Sequence, residues 1–223
     1  MKRAWAFAVV LALAVGAVWY FARDKEQLET FRSRRAATRL LAEYLAKKFS
    51  GARVVVVSNP FTEMGAPPDV VKMEQAGIAG LREGFGKKVA LKIAFPELKP
   101  EARGDPRSLL TDPESPTPLS YLMAQDAFDK LTPGYDLAIS LIGLPAALDK
   151  AQCWQKPGKP AFALLLPDLR MIGNEAAVRA AVKAGKLAAF VLPKPNAEDQ
   201  FLLVTAENID ELTQAIPTLL ANH

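Results

Sequence analysis

Histidine and cysteine, the residues that most often carry proton transfer and nucleophilic attack, each occur once in the 223 residues. His223 closes the chain and Cys153 stands beside Trp154. A Ser-His-Asp or Cys-His mechanism needs an imidazole fixed within hydrogen-bond reach of its nucleophile, and a terminal histidine has nothing to fix it. A single thiol allows no intrachain disulfide and no cysteine-based zinc site, so Cys153 reads as a small packed residue. No Gly-x-Gly-x-x-Gly or P-loop follows a strand-like run, so no nucleotide, metal or other cofactor is implied. What remains are hydroxyl, amide, carboxylate and cationic side chains just beyond apolar runs: Ser58, Asn59, Thr62 and Glu63 after one, Asp168 and Arg170 after another, Lys194 after a third. Such groups can orient a ligand by hydrogen bonds, and Glu63 with Asp168 would be the acid/base pair of an enzyme.

These residues need elements to place them. Val54–Val57 is a β-branched run of the kind buried on both sheet faces. Pro67-Pro68-Asp69 opens a helix whose stripe is Val70, Val71, Ile78, Leu81 and Phe85, with Gly86 at its end. Val89–Phe95 reads as a strand, and Pro96–Pro118, with six prolines, as a long exposed loop. Leu119–Leu131 reads as one helix, Leu137–Ile142 as a strand, Ala146–Ala151 as a short helix and Ala161–Leu166 as a strand. Asn174–Ala184 is a helix closed by Gly185, and Leu187–Leu192 is a strand with Phe201–Thr205 as its antiparallel partner. Asn208-Ile209-Asp210-Glu211 has capping-box spacing and opens a last helix to Leu220. Alternating strands and helices predict an α/β domain: a three-layer, doubly wound, mostly parallel sheet of about six strands. Ligands of such sheets bind beyond the carboxyl ends of the strands, near the switch point. That places Ser58, Asn59, Thr62, Glu63, Asp168, Arg170 and Lys194 as one candidate ligand-binding cleft, with proline after each strand stiffening its loops.

The stretch Gln75-Ala76-Gly77-Ile78-Ala79-Gly80-Leu81-Arg82-Glu83-Gly84-Phe85-Gly86-Lys87-Lys88-Val89 resembles the first helix and second strand of type I periplasmic substrate-binding proteins. Ser58-Asn59-Pro60 falls in the corresponding first strand-to-helix loop, which in that family often touches ligand. The resemblance covers about 40 residues and implies a small-molecule-binding α/β lobe. It departs from the family in size, because such proteins have two lobes and bind between them.

The N-terminus has its own logic. Ala4 to Ala22 carries no charge and as a helix would span about 28 Å, close to the ~30 Å hydrocarbon thickness. Trp5 at one end and Trp19-Tyr20 at the other suit the two interfaces. The run is longer than a cleaved signal core and ends in bulky residues. It also lacks the early glutamate of a pilin. It is therefore expected to be a single-pass transmembrane helix over residues 1–23. An amphipathic juxtamembrane helix over 24–50 and an α/β domain over 51–223 would follow. The short Lys2-Arg3 tail favours export of the domain to the extracytoplasmic (periplasmic) side, although the cations after the run pull the other way.

The formal net charge of +4 is uneven. Residues 1–50 hold ten Lys/Arg against four acids; the rest holds 18 against 20. The cations from Arg23 to Arg39 would therefore meet anionic lipid headgroups, while a near-neutral domain excludes nucleic acid as partner. The expected function is a membrane-anchored, extracytoplasmic, non-enzymatic binding or interaction domain. Its partners are the bilayer through residues 4–22 and either a small molecule or a protein of a membrane complex. The alternatives are a membrane-anchored enzyme using carboxylates or hydroxyls at the strand ends, and a structural subunit assembled through residues 24–49 and 96–118.

Overall fold

The computed structural model describes residues 25, 27–87, 89–104, 119–158, 160–195, 197, 200–216 and 219–220. The predicted span at residues 4–22, with Lys2, Arg3 and Arg23, lies outside the described residues, as do most of the proline-rich loop and His223. Among the described residues no helix is long and apolar enough to cross a membrane.

Four consecutive valines form strand β1 (Val54–Val57), and all four are buried. Side chains alternate across a strand, so a run apolar at every position requires cover on both faces. The sheet supplies it. Strands β1, β2 (Leu91–Ala94), β3 (Leu137–Ser140), β4 (Ala161–Leu165), β5 (Leu187–Pro193) and β6 (Phe201–Thr205) lie in the order β2-β1-β3-β4-β5-β6. The first five are parallel and β6 runs antiparallel to β5. The architecture is thus a mixed α/β fold with a six-strand, mostly parallel sheet. Register slips by one residue between Phe162 and Ala163 against β5, a bulge that leaves both Ala188 and Ala189 on one face.

The two faces have separate cores. Val55, Val57, Ala138, Phe162, Leu164, Phe190 and Leu192 point one way; Val54, Val56, Leu137, Ile139, Ala163 and Val191 point the other. The chain moves left once, from β1 through helix α2 (Pro68–Phe85) to β2, and otherwise moves right. Right-handed crossovers put the leftward helix on one face and the rightward ones on the opposite face. Rightward connections accordingly cover the first face, with Phe128, Val178 and Val182 from their helices, and the C-terminal helix adds Ile209. They leave α2 alone on the second.

Helix α1, residues 27–48, fills that space. Ala37, Leu41, Ala42 and Leu45 recur at three- and four-residue steps and all reach zero exposure against the sheet, each leucine contributing about 2 kcal/mol of burial. Read from sequence as an amphipathic juxtamembrane helix docking onto the domain, α1 packs as the second helix of this layer. Along the contact, Gly77, Gly80 and Gly84 of α2 face α1. A Cβ on Gly80 would stand 2.1 Å from Thr38 Oγ1 and 2.2 Å from the Arg35 carbonyl, and one on Gly84 2.6 Å from the Arg39 carbonyl. The glycine-dense stretch is therefore a close-packing seam between parallel helices as well as a helix end. Gly86, at φ 58°, does end α2, its amide donating to the Arg82 carbonyl.

Three local expectations change. The start of the proline-rich loop is packed: helix α3 (Pro100–Gly104) buries Ala102, and Leu98 sits with Phe61 and Leu122 in a satellite core. Leu98 and Ala102 are one helical step apart, a signal hidden among prolines and charges. The helix expected at Leu119–Leu131 is two, α4 (Leu119–Leu122) and α5 (Ala127–Leu131). The break occurs because residues 97–99 take the backbone groups between them: Lys99 N–H donates to the Leu122 carbonyl and Ala124 N–H to the Glu97 carbonyl. The short helix expected at Ala146–Ala151 is a 3-10 turn (Leu148–Lys150) followed by α6 (Gln152–Gln155). Helix α7 (Glu175–Lys183) keeps its predicted cap, Asn174 accepting from the Ala177 amide. Asn208, before helix α8 (Ile209–Ala215), instead turns back and accepts from the Thr205 amide at 2.8 Å.

Candidate functional site

Doubly wound sheets leave a crevice where successive crossovers diverge, and here that point lies between β1 and β3. Asn59 follows β1, and Leu141 and Ile142 follow β3. The first turns of α2 bring Asp69, Val70, Met73 and Glu74, and the N-terminal turns of α1 bring Gln27, Phe31 and Arg34. With Leu119 these residues line a cleft of about 480 Å³, within the usual range for small-molecule sites. Its walls are mainly apolar: Phe31, Val70, Met73, Leu119, Leu141 and Ile142.

The floor is charged. Arg34 Nη2 donates to Glu74 Oε2 at 2.8 Å and to the Leu141 carbonyl at 3.1 Å. The other Glu74 oxygen accepts from Ser58 Oγ at 2.6 Å and from the Asn59 amide at 2.9 Å. Only 16% of the Arg34 side chain and 7% of the Glu74 side chain is exposed. Arg34 and Glu74 together thus tie the start of the first strand-to-helix loop, the third strand's end and both helices of a layer into one unit. Arg34 Nε is buried without a partner and lies against Gly77, where a Cβ would stand 3.2 Å away. At the rim Gln27 Nε2 donates to Asp69 Oδ2 at 3.1 Å.

The seven residues proposed from sequence distribute unevenly. Asn59 lines the cleft, and Ser58, fully buried, lies behind it on Glu74. Asn59 also caps the 3-10 turn Pro60–Glu63, accepting from the Phe61 amide at 3.0 Å, and Thr62 Oγ1 donates to the Asn59 carbonyl at 2.7 Å. Glu63 ends that turn and is exposed. Asp168 and Arg170 form their own group after β4: Arg170 Nη2 meets Asp168 Oδ2 at 2.6 Å, and the Asp168 side chain caps a 3-10 turn through the Arg170 amide. The hydrogen bond from Arg170 holds the Asp168 carboxyl below the usual carboxylate range. Lys194 sits in the β5–β6 hairpin, its amide donating to the Gln200 carbonyl at 2.8 Å. Three strand spacings separate β1 from β5 in this sheet, or roughly 14 Å, so Lys194 stands apart from the Asn59 cleft.

Sequence reasoning missed Arg34 and Glu74, the two charges at the centre. A signal existed: each lies among apolar positions of an amphipathic helix, where a charge needs a partner. Burial, then its neighbour Asp129, pushes the Cys153 thiol up to about 12, and Asp129 accepts from the Cys153 amide at 2.6 Å. No group of three or more His, Cys, Asp or Glu able to hold a metal occurs among the described residues.

No protein-family model matches the sequence, and no curated protein matches it. Solved structures do resemble the fold, and they include periplasmic sugar-binding proteins of ABC transporters. A periplasmic solute-binding protein of an ABC transporter from Actinobacillus succinogenes, solved with D-allose, is 14% identical with a TM-score of 0.45 over 80% of this chain and 61% of its own. A periplasmic ribose ABC transporter protein from Conexibacter woesei is 16% identical, with a TM-score of 0.45 over 81% and 60%. A sugar-binding protein of a Bacillus halodurans ABC transporter is 11% identical, with a TM-score of 0.42 over 82% and 64%. This chain spans about three-fifths of the length of the first two. At these identities the likeness is one of fold.

Proposed function

We propose that this protein is a non-enzymatic binding domain that takes a small amphiphilic molecule in the Asn59 cleft. In this reading it is held on the extracytoplasmic side of a membrane by the apolar run 4–22, with 24–50 and 51–223 folding as one body behind it. The observation that carries the binding reading is the cleft itself, apolar walls over a buried Arg34–Glu74 floor at the switch point of the sheet. A ligand's apolar body would lie against Phe31, Val70, Met73 and Ile142, and its polar end toward Asn59 and Arg34. The pairing of the floor favours binding over catalysis: Glu74 is committed to three donors and Asp168 to Arg170, so neither is poised to exchange protons with a substrate. Arg32, Arg35 and Arg39 share one face of α1 and would meet anionic headgroups, although Glu83 and Glu43 already hold Arg35 and Arg39.

The test is a thermal-shift screen of the full chain in detergent micelles against medium-chain fatty acids, acyl glycosides and the free sugars D-allose, ribose and fructose. A saturable rise in midpoint with an amphiphile supports the reading. A well-folded protein with no response to any of these ends it.

A further inference from the structure

Among the described residues four large apolar side chains are exposed: Leu28, Met64, Tyr121 and Leu166. All four stand on one edge of the molecule. Met64 closes the loop after β1, and Leu166 directly follows β4. Tyr121 is in α4, whose Ser120 carbonyl accepts from the Ala146 amide just beyond β3. Leu28 is in the first turn of α1, where Gln27 reaches Asp69 in the first turn of α2. Each element meets the sheet at the carboxyl ends of its strands, the edge onto which the cleft opens.

Leu166 is costly there twice over. It is the one non-glycine residue with positive φ (44°) among the described residues, and 43% of it is exposed. A left-handed backbone strains a residue that carries a β-carbon, and an exposed leucine gains nothing from water. Glycine or asparagine would serve the turn better. Leu166 thus leaves an apolar side chain on the outer side of this edge.

The chain outside the structure says what lies on that side. We infer that the carboxyl edge of the sheet lies on the bilayer, with Leu28, Met64, Tyr121 and Leu166 in the interfacial layer and the cleft opening toward the lipid. The inference rests on the anchoring part of the proposed function and specifies where its ligand enters. The uncharged run ends at Ala22, six residues before Leu28, and six residues reach at most about 20 Å when extended. A compact domain of this size is roughly 40 Å across. The tether therefore cannot carry the opposite edge, where Ser50 joins α1 to β1, around to the membrane. Tyrosine and leucine at the membrane-facing edge match what interfacial contact selects.

The experiment uses the full chain in phosphatidylcholine vesicles, with Cys153→Ser as background and single cysteines Tyr121→Cys, Leu166→Cys and Ser50→Cys carrying an environment-sensitive fluorophore. Brominated lipids should quench the labels at 121 and 166 severalfold and leave the label at 50 unchanged. Equal quenching of all three labels, or of none, in protein that resists alkaline carbonate extraction overturns the orientation while leaving the anchor intact. Protein that carbonate extracts overturns the anchor and the orientation together. Ligand binding is read separately by thermal shift, so its failure is not confused with either.

Discussion

Arg34 and Glu74 lie 40 residues apart, on the two helices that share one face of the sheet, and their charged groups meet at 2.8 Å beneath the cleft. The contact fixes how α1 lies across α2 at the end where the site forms. Further along, the glycine seam does the same by shape alone.

Removing one charge of a buried pair leaves the other uncompensated, and that costs about 3 kcal/mol. Glu74→Gln keeps an oxygen for Ser58 Oγ and the Asn59 amide and removes the charge facing Arg34. Urea denaturation should show a loss of that size. Adding Arg34→Met should restore a good part of it, because the stranded cation is gone. Unchanged stability in Glu74→Gln would mean the pair contributes nothing to holding α1.

Gly80→Ala tests the seam. Its Cβ would overlap the Arg35 carbonyl, a backbone atom that cannot step aside. The helices must separate, and overpacking of this kind costs about 3 kcal/mol, against the fraction of a kcal/mol that alanine normally gains over glycine in a helix. Gly51→Ala is the comparison: at φ 74° with nothing within 4 Å, it should lose only about 1 kcal/mol through strain. A Gly80→Ala protein as stable as the parent would contradict the packing.

The strands and their order of appearance were legible because burial on both faces leaves continuous apolar runs such as Val54–Val57 and Ala161–Leu165. Helix α7 was legible through Asn174 and Gly185. What escaped were features set by distant contacts. The break between α4 and α5 is made by Glu97 and Lys99, and no local property of Leu119–Leu131 announces it. Asn208 has the right spacing for a cap yet serves the end of β6, because its short side chain bonds Thr205 and Leu203 and leaves the helix start uncapped. In the candidate site, Ser58 and Asn59 were reached by topology. Glu74 was not singled out, because its partner Arg34 belongs to the separate juxtamembrane segment 24–50, 40 residues away.

Cys153 offers a pH test. Its thiol is pushed up from an ordinary 9 to about 12, first by burial and then by Asp129. A raised folded-state value means the neutral thiol is favoured in the fold. That contribution is fully present below pH 9 and is lost as pH climbs from 9 toward 12. At pH 8 the thiolate fraction of the native protein should be roughly 1,000-fold below that of an ordinary thiol, and alkylation slower to match. Iodoacetamide labelling followed by mass spectrometry, in buffer and in 6 M guanidinium chloride, an ordinary full denaturing dose, reads both. Labelling at equal rates in the two conditions would show Cys153 to be an open thiol.

The last prediction separates the cleft from the residues around it. Asn59 is a poor probe, because Asn59→Ala also removes the cap on Pro60–Glu63 and costs about 1 kcal/mol regardless of ligand. Met73 has no such second duty; it lines the cleft on α2 and is only partly buried. Met73→Trp would occupy the space against Phe31 and Ile142 while keeping the apolar wall, so the urea midpoint should stay within the equivalent of about 1 kcal/mol. The thermal shift given by an amphiphile should vanish. Lys194→Ala, across the sheet in the β5–β6 hairpin, should leave that shift intact. If Lys194→Ala abolishes the response and Met73→Trp does not, the ligand sits beyond β5, and the cleft between α1 and α2 is not where it binds.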